Sequence, residues 1–285
     1  MSFPSRTVEE LFKNIVSLKS SKEQNKSISE LLKVEDYSRQ FLLGLREEFS
    51  PTQTEGVSII TCTNKPQFIK NIFQNYRSQF FKKKELIIIL NRSDINIHKW
   101  KLKAEREENI YVYQLSEEIS LGNCYNFAVE KAKYNFIATF DDDDFYAPNY
   151  LIDLMYAFTY TDADIVGKLT YFLFLERKNI LAVRNPFQEY KYLDESSFFD
   201  GGKKIVRKKV FDYVQYRDVS LLEDVFFCED CMDKGFKLFS ADKYNLTYLR
   251  RSNKDNHTWK EQDNTILKWC SIVARTSRYK AGVMI

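Results

Sequence analysis

Between residues 57 and 140, four short runs rich in β-branched and other apolar residues recur: VSIIT (57–61), ELIIIL (85–90), IYVY (110–113) and FIATF (136–140). Amphipathic segments suited to helices lie between them, at 66–79 and 121–133. This alternation narrows the fold more than any other feature, because strands joined by long crossovers must run parallel. Runs without polar alternation also imply strands covered on both faces. The expected class is therefore α/β, with a Rossmann-like, mostly parallel central sheet flanked by helices, suited to binding a nucleotide. Beyond residue 150 the order becomes mixed. The apolar runs DIVGKLTYFLFL and ILAV suggest a hairpin, and a Gly201–Gly202 pair and a helix near 223–234 follow. Such a segment usually builds the second wall of a cleft.

The first 54 residues read as a helical appendage. Thr7 with Glu10, and Ser27 with Glu30, have the spacing of capping boxes, which predicts two helices. In the second, Ile28, Leu31, Leu32, Leu42, Leu45 and Phe49 fall on one face, and Pro51 closes the run. That face needs a partner: either the main domain or a second subunit, which would make the protein a homo-oligomer.

Charge excludes some functions. With 43 Lys and Arg against 40 Asp and Glu, the net charge of +3 gives no concentrated basic face for nucleic acid. No apolar stretch reaches the roughly 20 residues of a transmembrane helix, and the start MSFPSRTVEELFKN lacks the apolar core of a secretory signal. A cytoplasmic location is expected. Five cysteines, an odd number, predict reduced thiols, and Cys228 and Cys231 have CxxC spacing without the second pair that zinc would need. The aromatic share of 15% fits either a generous core or a surface on which sugar rings stack.

The strongest chemical signal is FIATFDDDDFYAP, where Asp141, Asp142, Asp143 and Asp144 follow directly on a strand. Adjacent carboxylates repel, so a fold that gathers them supplies a cation or exposes them to water. Open α/β sheets bind ligands at the carboxyl ends of their strands, where this run falls. A hard divalent ion bridging these side chains to a diphosphate is the functional reading, and a solvated acidic loop the structural one.

At this point the chain resembles the family 2 glycosyltransferases of the GT-A fold. The resemblance rests on VSIITCTNKPQF, ELIIILNRSD, LGNCYNFAVEKAKYNFIATFDDDDFYAP, DGGKKIVRKKVF and LLEDVFF, in the family's order, and covers roughly residues 55–260. The TCTNKP and ELIIILN forms look most like bacterial enzymes of spore-coat polysaccharide and spore maturation. The resemblance implies a 55–285 GT-A domain, with a nucleotide-binding half at 55–150 and an acceptor half, including a C-terminal flap and helix, at 151–285. It implies a nucleoside-diphosphate sugar as donor, a saccharide or other hydroxyl as acceptor, and Mn2+ or Mg2+ as cofactor.

Site residues follow from the same resemblance. Thr61 and Thr63 would border the nucleotide, Asp141 and Asp142 would face the ribose, and Asp143 would ligate the metal, while Asp144 begins the next turn. Asn91 stands where the family usually has an aspartate facing the base. A carboxylate only accepts hydrogen bonds, whereas an amide also donates, so Asn91 suits uracil, thymine or, turned over, cytosine. The structural alternative is that it merely caps a turn. Asp224, paired with Glu223 at a helix start whose dipole favours an ionised carboxylate, would be the general base of an inverting transfer. Val225, Cys228 and Met232 are expected as that helix's buried stripe, with Glu229 and Asp230 on a solvated face. Gly202, with Gly201, would lie beside the donor sugar. The stretch RRSNKDNHTWKEQDN reads as a mobile flap in which His257 is a metal-ligand candidate and Arg250, Arg251 and Lys254 could clamp the diphosphate. His98 gets a surface reading.

Two other functions compete. A non-catalytic relative that binds a sugar nucleotide or a partner through the N-terminal helices is kept open by Asn91. Clustered aspartates also serve metal-dependent nucleotidyl or phosphoryl transfer. No Walker A or GxGxxG loop is present, which argues against P-loop kinases and dinucleotide oxidoreductases.

Overall fold

A computed structural model of the chain describes residues 7–20, 22–49, 55–252 and 261–285. The N-terminal segment forms α1 (Val8–Ile15), α2 (Ile28–Leu31) and α3 (Glu35–Phe49), and both capping boxes are made, Thr7 with Glu10 and Ser27 with Glu30. The second helix expected from sequence is thus two, broken between Leu31 and Glu35. The apolar set still shares one side: Leu31 and Leu45 are buried, and Ile28, Leu32 and Phe49 pack on the same cluster as the main domain. Leu42 joins a neighbouring cluster with Phe172, Leu181 and Tyr244. The partner of this face is therefore the chain's own core.

The main domain continues with β1 (Val57–Thr63), α4 (Ile69–Ser78), β2 (Lys84–Asn91), α5 (Ile97–Ala104), β3 (Ile110–Leu115), α6 (Leu121–Lys131), β4 (Phe136–Thr139), β5 (Phe145–Tyr146) and α7 (Tyr150–Tyr160). There follow β6 (Ile165–Gly167), β7 (Tyr171–Leu175), β8 (Ile180–Arg184), β9 (Lys191–Tyr192), β10 (Lys204–Arg207), α8 (Glu223–Asp233), β11 (Leu238–Ser240), β12 (Leu246–Arg250), α9 (Asp263–Leu267), β13 (Cys270–Arg275) and α10 (Lys280–Val283).

Eight strands form one sheet in the order β3-β2-β1-β4-β10-β6-β11-β9. Its first four strands are mutually parallel, as the crossovers require. β10 enters antiparallel between β4 and β6. Covered on both faces, β2 reads as an unbroken apolar run in which Leu86 to Leu90 are all buried. A second sheet, β13-β8-β7-β12-β5, packs beside it. The run DIVGKLTYFLFL is split between the two: β6 belongs to the large sheet, and β7 forms the expected hairpin with β8 in the small one. All five cysteines are free thiols, and Cys228 and Cys231 are fully buried in the core.

Where α3 meets α7, a buried polar network joins the apolar contacts of Phe49 with Tyr156 and Tyr160. Arg46 on α3 makes a two-pronged bond to Asp153 on α7, at 2.7 and 2.9 Å, and donates to the Ile285 carbonyl at 2.9 Å. Asn245 donates to the same Asp153 carboxylate at 2.8 Å. Among the described residues no helix is long and apolar enough to cross a membrane.

Candidate active site

The chain leaves β4 at its carboxyl end and turns through the four aspartates into β5. Asn71 and Asn75, one turn apart on α4, hold this turn by its backbone. Asn71 Nδ2 donates to the carbonyls of Asp142 and Asp144 at 2.8 and 2.9 Å, and Asn75 Nδ2 donates to that of Asp144 at 2.9 Å. With the backbone fixed, the four side chains diverge.

Asp142 is 7% exposed, and its Oδ2 accepts from the Thr63 hydroxyl at 2.5 Å. Thr61 lies two residues back on the same face of β1 and is buried. The carboxylates of Asp142 and Asp143 share one ammonium, that of Lys65, at 3.7 and 3.6 Å. Burial, and then the Asp143 charge, push the Asp142 carboxyl up to about 7, with Lys65 and Thr63 opposing. Burial works against the Lys65 ammonium, but the facing carboxylates outweigh it and raise its pKa. Arg251, at the end of β12, donates to the Asp143 carbonyl at 2.9 Å. Its guanidinium and the Lys65 ammonium both lie over the Phe68 ring, 5.6 and 5.7 Å from the centroid.

Asp144 departs from the turn-starting role expected of it. It is fully buried, and its Oδ1 accepts from the Leu249 amide at 2.9 Å, tying the acidic turn to the small sheet. Burial pushes its carboxyl well above the usual range, and Lys203, 4.0 Å away, offsets part of this. Burial also disfavours the Lys203 ammonium, yet Asp141, Asp144 and Asp200 together raise its pKa.

The glycine pair joins the acidic turn to the helix-start acids. Gly202 N–H donates to both oxygens of Asp141 at 3.1 Å, while Gly201 N–H donates to the Asp224 carboxylate. Tyr146 hydroxyl closes the loop, accepting from the Asp141 amide at 2.8 Å and donating to the Gly202 carbonyl at 2.7 Å. A Cβ on Gly202 would meet the Asp141 nitrogen at 2.4 Å and the Tyr146 hydroxyl at 2.6 Å, so no larger residue fits. Gly201 has φ +37, a conformation that favours glycine.

Glu223 and Asp224 open α8 as expected, preceded by Leu222 in a left-handed conformation, φ +62. Glu223 is 7% exposed; burial, then the Asp224 charge, push its carboxyl up to about 7. The buried stripe of α8 differs from the expected one. Phe227, Cys228 and Cys231 are buried, whereas Val225 and Met232 are only half-buried. Glu229 is exposed, and Asp230 pairs with Arg217 at 2.7 Å.

Asn91 ends β2 at the same edge of the sheet. Its Nδ2 donates to the carbonyls of Ser116 at 2.7 Å and Ile119 at 3.1 Å, so the amide nitrogen is taken up by the 116–119 loop. His257 and Lys254 lie outside the described residues; Arg250 reaches the Glu261 carbonyl and Asp263 rather than the acidic turn. His98 is exposed on α5.

The structure thus brings together Thr63, Asp141, Asp142, Asp143, Arg251, Gly201, Gly202 and Asp224. Sequence reasoning missed Lys65, Asn71, Asn75 and Lys203. Lys65 and Lys203 lie inside the quoted TCTNKP and DGGKK segments, and the two asparagines have i, i+4 spacing, the one local signal that could have marked them.

Among the described residues no three His, Cys, Asp or Glu side chains converge as a ready-made metal cage. The pair that shares Lys65 still fits a hard cation. Magnesium-type ions commonly take only one or two carboxylates from the protein and the rest of their ligands from phosphate and water.

Relatives and solved structures resemble the chain in sequence and in fold. A poly-β-1,6-N-acetyl-D-glucosamine synthase of Staphylococcus aureus is 25% identical over 118 residues, 40% of this chain and 29% of that protein. The chain therefore spans under a third of the length of the curated relatives it matches. Staphylococcus aureus TarS (residues 1–349), solved in complex with UDP-GlcNAc, superposes with a TM-score of 0.58 at 17% identity, over 72% of this chain and 62% of that one. GalNAc-T7, solved with UDP, GalNAc and Mn2+, gives 0.56 at 12% identity, over 70% and 45%. At these identities the structures speak for the fold, which is the GT-A fold. The sequence profile of glycosyl transferase family 2 matches residues 57–214, from the first residue of β1 through the acidic turn and the glycine pair. That match takes in more than half of the 285-residue chain, and the protein belongs to glycosyl transferase family 2.

Proposed function

We propose that the protein is a metal-dependent, inverting glycosyltransferase that moves a sugar from UDP or dTDP to an acceptor hydroxyl. The observation that carries this reading is the glycine pair, whose two successive amides hold Asp141 on one side and Asp224 on the other. An acidic turn suited to a donor diphosphate and a helix-start carboxylate suited to an acceptor are thereby fixed across one short loop.

The donor base follows from Asn91. Both amide hydrogens are engaged by the 116–119 loop, which leaves Oδ1 as the group the side chain can offer. Asn91 then acts as an acceptor only, like the aspartate usual in the family, and suits the N3–H of uracil or thymine rather than the bare N3 of cytosine. The UDP-GlcNAc bound by TarS supports the same class of donor.

Asp142 and Asp143 would hold Mn2+ or Mg2+ together with diphosphate oxygens, and the ion supplies charge neutralisation as the diphosphate departs. The Mn2+ in GalNAc-T7 supports this choice. Lys65 and Arg251, stacked on Phe68, are placed to take over diphosphate charge as the bond between the anomeric carbon and phosphate oxygen breaks. Asp224 accepts the acceptor's proton as that hydroxyl oxygen bonds the anomeric carbon from the opposite face, inverting it. Glu223, with its raised pKa, limits like-charge repulsion beside Asp224. The poly-β-1,6-N-acetyl-D-glucosamine synthase among the relatives supports a saccharide acceptor and a role in polysaccharide synthesis.

Thermal unfolding with UDP, TDP, GDP and CDP, each with and without Mn2+, tests the reading. UDP and TDP with Mn2+ should raise Tm, by about 2.7 kcal/mol of stabilisation at a hundredfold excess over Kd, and GDP and CDP should not. Asp143→Ala should lose the Mn2+-dependent part of the shift. No shift with any nucleotide at millimolar concentration would overturn the donor assignment and leave a non-catalytic relative as the better account.

A further inference from the structure

The structure holds a cluster of side chains that begins beside the loop holding Asp224. Asp200 immediately precedes the glycine that holds Asp224. Its carboxylate accepts from the Tyr171 hydroxyl and stands 3.6 Å from Arg184 Nε. The Arg184 guanidinium in turn lies 5.4 Å from the centre of the Trp269 indole, which is 45% exposed.

Strand register fixes these groups. Tyr171 pairs with Arg184, and Arg184 with Cys270, the residue after Trp269. The Asn185 amide also donates to the Trp269 carbonyl at 3.1 Å. Arg184 therefore stands at the end of β8, with Trp269 in the turn just before the partner strand β13 and Asp200 in the loop that leads into the glycine pair.

We propose that Trp269, Arg184 and Asp200 form the acceptor subsite, and that it takes an uncharged saccharide; the inference rests on the sugar-transfer reading above. The Arg184 guanidinium covers one face of the indole, and the exposed remainder offers an apolar surface to the C–H side of a sugar ring, while the Asp200 carboxylate beside it accepts from ring hydroxyls. The charges of Arg184 and Asp200 balance. An anionic sugar would meet the Asp200 carboxylate, whereas a neutral one donates a hydroxyl to it and leaves the pair with Arg184 in place.

Saturation-transfer NMR on the full chain with UDP and Mn2+ tests this, using cellobiose, chitobiose and digalacturonate as probes. At least one neutral disaccharide should bind and digalacturonate should not. Trp269→Ala should weaken the neutral disaccharide at least tenfold, and Trp269→Phe should restore most of the affinity. Both variants should keep the UDP-dependent Tm shift of the wild type, which also reports that they are folded. Three outcomes would overturn the subsite: equal binding by Trp269→Ala, binding of digalacturonate as tight as that of the neutral sugars, or no disaccharide binding by a wild type that binds UDP. Failure of UDP itself with Trp269-dependent sugar binding retained would instead sink the donor reading and leave the saccharide site standing.

Discussion

An Asp224→Asn enzyme is expected to transfer sugar ~10²–10⁴-fold more slowly than the wild type while binding UDP and Mn2+ as well. The range is that of a lost general base, and corresponds to about 2.7–5.5 kcal/mol of activation free energy. The substitution keeps the side-chain volume and leaves an oxygen to accept the Gly201 amide, so the glycine loop and the acidic turn behind it should stay in place. What is lost is basicity, together with the second oxygen, which accepts from the Val225 amide at 2.9 Å. The check is a paired measurement of kcat for nucleoside-diphosphate release and of Kd for UDP with Mn2+. A variant of undiminished kcat would move the base to another group, with Glu223 the first to replace, since its carboxyl, pushed up to about 7, is the other acid at this helix start.

Arg46→Met is expected to lower stability by about 3–5 kcal/mol, because it strands a buried carboxylate without its cation. The Asp153 side chain has no solvent exposure, and Arg46 bonds both of its oxygens. Asn245 would remain as a partner but carries no charge. The loss should grow with pH. Burial already pushes the Asp153 carboxyl up to about 6 against the pull of Arg46, so the native state holds a proton more tightly than the unfolded chain does. A folded pKa above the unfolded one contributes stability at low pH that disappears as pH rises through the folded value. Without Arg46 that folded value climbs further, and the falling limb extends to higher pH by about 1.4 kcal/mol for each added unit. Urea unfolding of both proteins at pH 5.5 and pH 8 measures this. A deficit equal at the two pH values would mean that Asp153 is not the group left uncompensated.

The parallel half of the fold was legible because its signal is local: β-branched runs, crossover lengths and an acidic turn at a strand's carboxyl end all lie within short windows. The acid pair at the start of α8 was legible for the same reason, since Glu223 and Asp224 are neighbours in sequence. The family resemblance supplied what locality could not, the association of that pair with an acidic turn some eighty residues earlier. What stayed hidden depends on register and long-range pairing. Nothing around Leu173 says that β7 leaves the large sheet for a second one, because both environments bury an apolar strand completely. The role of Asp144 was misread because four identical letters cannot show which one turns inward. Only the pairing of β12 with β5 and β7 brings the Leu249 amide to its oxygen. The α8 stripe was misplaced because a helix lying along a sheet buries a face set by its neighbours. Phe227 and Cys231 fill the space against Phe211 and Tyr216 that an idealised wheel would have given to Val225 and Met232.

The docking of α3 also bears on the order in which the chain can fold as it is made. Arg46 leaves the ribosome well before Asp153, and the 107 residues between them take roughly 5–20 s at translation rates of about 5–20 residues per second. Its other partner, the Ile285 carbonyl, and Asn245, which donates to the same Asp153 carboxylate, emerge later still. Through that interval the helices synthesised first carry an apolar face with nothing yet to cover it. Theirs is the period in which a chaperone would find the nascent protein, and their docking on α7 waits for Asp153 to emerge.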